Sequence, residues 1–147
     1  MTALSASSPR TFVGDKTIER LPADVGNKIW AGATLFWDES NGGVDRYGGT
    51  AGAFAGFSQE TADNTDGALG DILIDVVRKG TVVLVLSATV ALSNVGDTVY
   101  AAADDDTFNL TSTSNMAIGK ITRVAVAGAS GANEVEVAFE ASGFTSV

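Results

Sequence analysis

The sequence predicts a mainly β fold: a small β-barrel or sandwich with an extended N-terminal arm and few or no long helices. Three observations carry that expectation. Gly is abundant at 17 residues, while Pro is limited to Pro9 and Pro22. Val, Thr and Ala dominate, and Leu, Glu and Lys at helical spacing are scarce. Apolar runs are short and punctuated by Gly, Asn and Asp, which gives about eight or nine strands at near-regular spacing. At 147 residues the chain fits one domain. Such a domain buries roughly 68–70% of its unfolded surface and needs neither metal nor disulfide to hold a core.

Residues 1–11 are small and polar without periodicity, and read as a mobile arm. Residues 12–27 mix Phe12, Val13, Ile18 and Leu21 with charge, and read as an extended segment lying on another surface. The expected division is therefore an arm over 1–27 and a β-barrel-like body over 28–147. Ile29 to Trp37 reads as a long apolar segment interrupted by Gly32, and Asn41-Gly42 after it is a hairpin signal. Val44 to Tyr47 is the return, 48–53 a loop, and Phe54 to Gln59 a further strand. Residues 71–88 read as a hairpin through the centre of the fold, turning at Arg78-Lys79-Gly80. Strands follow at Thr98 to Tyr100 and Thr107 to Leu110, with turns at 94–97 and 104–106. The last pair is expected over 118–127 and 134–140, joined by a Gly-rich turn over 128–133. In the final strand Val135, Val137 and Phe139 alternate with Glu134, Glu136 and Glu140, the pattern of a half-buried strand. Short helical turns are expected only near 22–26 and 114–118.

The composition also restricts chemistry. The chain contains neither Cys nor His, which removes thiol nucleophiles, zinc-thiolate sites and the commonest general base. Ser and Thr therefore have no imidazole to activate them. Asp38-Glu39, Asp104-Asp105-Asp106 and Glu134/Glu136 offer carboxylates, but the first two sit at turns and the third lines a solvated strand face. Asp63-Asn64-Thr65-Asp66-Gly67 resembles a calcium loop superficially, yet its Gly is fifth rather than sixth and Ile74 stands where the twelfth-position Glu belongs. Gly26-Asn27-Lys28 lacks the rest of a phosphate-binding loop. No enzyme activity, catalytic residue, metal or cofactor is expected.

The net charge is −9. Residues 1–36 carry four basic and three acidic side chains, and the remainder five basic and fifteen acidic. An acidic body repels nucleic acid, so none is expected as a partner. The greasiest run, Val82 to Leu86, is far shorter than the ~20 residues needed to span a bilayer, and no secretory signal is evident at the N-terminus. A soluble protein made in the cytoplasm, with no membrane partner, is expected. Trp30, Phe36 and Trp37 crowd one segment. Strand parity puts Trp30 and Phe36 on one face and Trp37 on the other. Trp37 is then either an outward subunit-contact anchor or part of a strand covered on both sides.

Several motifs occur in a fixed order. Gly49 to Phe57 (Gly-Thr-Ala-Gly-Ala-Phe-Ala-Gly-Phe) precedes the strand ending Arg78-Lys79-Gly80 and the apolar strand to Ala88. Gly96-Asp97-Thr98-Val99-Tyr100, the Thr-rich 107–113 and Ile118-Gly119-Lys120-Ile121 follow. Over roughly residues 28–140 this order resembles the capsid cement, or head decoration, proteins of tailed bacteriophages. The resemblance implies a β-barrel-like body, a homotrimer at three-fold and quasi-three-fold sites, and the major capsid protein as partner. It further implies a place on the outer surface of the virion, after synthesis in the host cytoplasm, and no catalytic residues. Phe12, Val13, Ile18 and Leu21 are then the candidate capsid contacts. Removal of 1–27 is expected to leave a folded trimer that no longer binds heads. The alternative is a receptor- or carbohydrate-binding β module of a fibre or adhesin, with Trp37 beside Asp38-Glu39 as the candidate platform.

Overall fold

A computed structural model describes residues 2–49, 52–124 and 133–141. The chain is mainly β, and its principal sheet curls into a half-barrel. The described strands are β1 (Thr17–Pro22), β2 (Lys28–Ile29), β3 (Thr34–Asp38), β4 (Gly43–Arg46), β5 (Ala53–Ser58), β6 (Ala62–Asp63), β7 (Leu73–Val85), β8 (Thr98–Ala101), β9 (Phe108–Asn109), β10 (Met116–Val124) and β11 (Glu134–Glu140). The sheet runs β4-β3-β5-β7-β11-β10-β8-β9, with β1 also on β7, while β2 and β6 form a separate two-stranded ribbon. The part of the expected 118–127 strand beyond Val124, most of the turn over 128–133 and positions 50–51 of the 48–53 loop lie outside the described residues.

The central element corrects the sequence expectation. Residues 73–85 form one 13-residue strand rather than a hairpin. Its neighbours explain how. β1 pairs antiparallel with Leu73 to Lys79, and Phe12 bridges Val82 further along, so the N-terminal segment follows β7 for most of its length. β5 meets β7 at Val76 and Val77, whereas β11 pairs with Lys79 to Val85. The β1 register slips between Thr17 and Ile18, which leaves Arg78 as the extra residue of a β-bulge. Gly80, at φ +155°, follows it. The Arg-Lys-Gly triplet therefore bends a continuous strand, and the sheet divides into two walls at the bend.

Two cores lie on opposite faces of β3, β5 and the first half of β7. One cluster joins Phe54, Phe57 and Val77 to Val82, Leu84, Phe108, Val137 and Phe139. The other gathers Leu35, Trp37 and Val44 with Ile74 and Val76, and receives Leu4 and Leu21 from the N-terminal segment. Here β1 comes round to β4: Ala23 bridges Val44, and the Asp24 amide donates to the Val44 carbonyl at 2.9 Å.

The expected 29–37 segment is also divided, into β2 and β3, with Gly32 between them at φ +91°. The backbone of Ser8 passes so close that a Cβ at Gly32 would lie 1.8 Å from its carbonyl oxygen. In β3, Phe36 packs on the first cluster while Leu35 and Trp37 enter the second. Trp37 is 7% exposed, which corrects the outward placement and leaves the doubly covered strand. The Asn41-Gly42 hairpin forms as expected, pairing β3 with β4, and Gly42 takes φ +82°. Val135, Val137 and Phe139 of β11 are buried, as their alternation predicts. The helical turns expected near 22–26 and 114–118 are corrected. Pro22 ends β1, Ser114 turns at φ +59°, and the described helical piece is a three-residue 3-10 turn at Leu92–Asn94.

Candidate functional site

The N-terminal segment is extended, and from residue 4 onward it is fastened to the body rather than mobile. Leu4 is buried, and its amide donates to Asp105 Oδ1 at 2.9 Å. The Ser8 amide donates to Ala31 O at 2.9 Å. Arg10 is the main clamp. Its Nη2 lies 2.7 Å from Asp106 Oδ1, its Nε donates to Gly32 O at 2.7 Å, and its guanidinium stands 5.1 Å from the Phe108 ring centre. Thr11 O accepts from the Val83 amide, and the Val13 amide donates to Thr81 O, each at 2.9 Å, so this stretch acts as a further strand on β7. A body stripped of 1–27 would lose β1 and its buried Leu21 together with Ala23 and Asp24.

The four candidate contact residues divide by direction. Phe12 packs edge-on against Phe57 at 6.4 Å and lies 6.3 Å from Phe139, while Leu21 is buried in the second cluster. Both belong to the core of the chain itself. Val13 and Ile18 point outward, at 46% and 44% exposure, and Leu73, paired with Pro22, is 47% exposed. Among the described residues β1 pairs as a strand with β7 alone. Its outer edge thus combines free backbone with exposed apolar side chains, a combination suited to adding a further strand.

Behind the segment, Asp105 is fully buried, and burial pushes its carboxyl above the usual range, although the Leu4 amide and the charge of Arg46 pull the other way. Its Oδ2 has no hydrogen-bond partner among the described residues. Sequence reasoning missed Arg10 and Asp105 as fasteners. Within Asp104-Asp105-Asp106 no local signal separates the buried aspartate from its two neighbours.

The other carboxylates have local duties. The Ser40 hydroxyl and amide hold the Asp38 carboxyl below its ordinary range, and Thr65 does the same for Asp63. Asn64, the second residue of the calcium-like stretch, points inward and donates to Asp24 O and Ala68 O at 2.9 Å each. That loop braces the fold. Glu136 pairs with Arg123 at 3.4 Å. Buried Trp37 cannot serve with Asp38 and Glu39 as a flat sugar platform. Among the described residues no group of three or more His, Cys, Asp or Glu side chains is placed to hold a metal. An open groove of about 720 Å³ is lined by residues 15–17 together with parts of β7, β10 and β11.

No protein-family model, curated protein or solved structure matches this chain.

Proposed function

We propose that the chain is a structural decoration (cement) protein that binds the outer surface of an expanded phage head and stabilises it against internal DNA pressure. It acts as a homotrimer at three-fold and quasi-three-fold sites, with the major capsid protein as its partner and no catalytic role. The observation that carries this reading is the outer edge of the N-terminal segment, where Val13 and the β1 residue Ile18 stand exposed on a stretch held firmly by the core. A preformed edge presents backbone donors and acceptors at little further cost in chain entropy. Three such edges on one trimer raise one another's effective concentration, so individually weak contacts sum to firm attachment. The order of Gly-centred motifs from Gly49 to Ile121 supports the same reading.

The test is solution mass by light scattering, with and without purified expanded heads, for the natural chain and for the double variant Val13→Asp/Ile18→Asp. The natural chain is expected at trimer mass and to co-sediment with heads, and the variant to fold but occupy heads at least tenfold less. A monomer that ignores heads would overturn the proposal. Equal occupancy by the variant would overturn the assignment of the edge.

A further inference from the structure

Arginine and lysine are used differently over this molecule. Four of the five arginines, Arg10, Arg20, Arg78 and Arg123, lie in ion pairs with Asp106, Asp75, Glu19 and Glu136 at 2.7, 3.5, 3.1 and 3.4 Å. Three of the four lysines, Lys16, Lys79 and Lys120, line the one groove noted above. Among the described residues neither Lys16 nor Lys120 lies within ion-pair distance of a carboxylate; Lys16 Nζ stands 5.0 Å from the Phe12 ring centre. Lys79 reaches Glu140 only at 3.9 Å, with both side chains more than 60% exposed at 62% and 71%. Such a pair contributes little and exchanges readily for another carboxylate.

The register builds the groove. It aligns Lys120 with Ala138 and Ala138 with Thr81 across β10, β11 and β7, and sets Lys79 opposite Glu140 on one side and Thr17 on the other. Between the lysines lie Thr17, Thr81, Ala138 and the bare backbone of Gly80 and Gly119, with Ile118 and Phe139 also lining the groove. The floor cannot be filled easily, because a Cβ at Gly119 would lie 2.1 Å from Ala138 O. Asp15 and Glu140 also border the groove, so its rim carries three positive and two negative groups on a chain whose net charge is −9.

Flexible ammonium groups along an open trough, without convergent buried donors, suit an extended anion better than a compact small molecule. The net charge of −9 opposes the uninterrupted charge of a phosphate backbone more than the sparser carboxylates of a peptide with neutral residues between them. We propose that this groove docks an extended acidic peptide segment of a partner protein, its carboxylates meeting Lys16, Lys79 and Lys120. The inference goes beyond the decoration reading and does not depend on it.

The probe is a fluorescein-labelled decapeptide of alternating Glu and Thr, followed by fluorescence anisotropy and by amide shifts in NMR spectra of the full chain. Saturable binding is expected, weakening with salt, with shifts concentrated at Gly80, Gly119 and Ala138. The triple variant Lys16→Gln/Lys79→Gln/Lys120→Gln should bind about tenfold more weakly or worse at an unchanged melting temperature, and the triple Arg variant should restore binding. Four results would overturn the proposal: no binding at millimolar peptide, shifts centred elsewhere, equal affinity in the Gln variant, or tighter binding of a ten-residue oligothymidylate. A chain that holds the peptide but ignores phage heads keeps this site and loses the decoration reading. The converse outcome separates the two equally well.

Discussion

Arg78 Nη2 donates to the Ala141 carbonyl at 2.6 Å, and so ties the bulge of β7 to the end of β11. The same guanidinium lies 3.1 Å from Glu19 Oε2 on β1 and 5.6 Å from the centre of the Trp37 ring on β3. One cation therefore joins four strands where the sheet divides. Its side chain is 11% exposed, whereas that of Glu19 is 54% exposed. The two ends of the pair should respond unequally. Arg78→Ala removes the bond to Ala141 and the packing on Trp37, and should cost about 3 kcal/mol. Glu19→Gln disturbs only a solvent-screened contact and should cost less than about 1 kcal/mol. Urea unfolding of both variants measures this, and equal losses would mean that the ion pair itself dominates.

A second prediction concerns how the N-terminal segment is seated. Gly32 and Gly42 both have positive φ, at +91° and +82°. They differ in their surroundings: a Cβ at Gly42 meets nothing within 4 Å, but one at Gly32 meets the Ser8 carbonyl. Gly42→Ala should therefore cost only the left-handed backbone penalty, about 1–2 kcal/mol. Gly32→Ala carries that penalty and also displaces residues 4–10. Hydrogen exchange at Leu4 and Ser8 should accelerate in Gly32→Ala and stay unchanged in Gly42→Ala.

These two glycines also illustrate what was legible in the sequence. Gly42 follows Asn at the end of an apolar run, and a hairpin signal of that kind is local. β11 is legible for the same reason, since Val135, Val137 and Phe139 repeat with the period of the strand itself. Gly32 is a tertiary glycine, needed because Ser8 arrives from 24 positions earlier, and nothing nearby encodes that approach. Arg78-Lys79-Gly80 has the composition of a turn, yet three neighbouring strands hold it as a bulge. Leu4, Phe12 and Leu21 anchor the N-terminal segment at irregular spacing, so no period announced their burial. Trp37 had two readings open in the sequence, and only the packing of β3 between two cores decided for the inward one.

The third prediction is a pH dependence. Burial raises the Asp105 carboxyl above its ordinary value, so the folded state binds its proton more tightly than the unfolded chain does. For a group shifted in this direction, the charged form burdens the fold above the raised pKa. That burden is relieved as pH falls through the folded value, and the gain levels off below the unfolded value of about 3.9. Asp38 and Asp63, held low by Ser40 and Thr65, act in the opposite sense from the surface. The useful quantity is therefore the difference between the natural chain and Asp105→Asn, which leaves those two groups in place. The natural chain should gain on the variant as pH falls from 7 towards 4. A difference that is flat with pH would show that Asp105 has the same affinity for its proton folded and unfolded.

The last prediction separates a segment that merely lies on the body from one that completes its core. Phe12 and Val13 are adjacent, but Phe12 packs against Phe57 and Phe139 while Val13 is 46% exposed. If the segment is integral, Phe12→Ala opens a void beside two core rings and should cost about 2 kcal/mol, somewhat below a fully buried Phe because Phe12 is only half-buried. Val13→Ala should stay within about 0.5 kcal/mol. Deleting residues 2–13 should cost more than Phe12→Ala, since it also frees the amide of Val83 and the carbonyl of Thr81 and leaves Asp105 without the Leu4 amide. Urea midpoints of the three variants give the ranking. If the deletion matched the natural chain, residues 2–13 would contribute nothing to the stability of the body, and Phe12 would return to the set of side chains free to meet a partner.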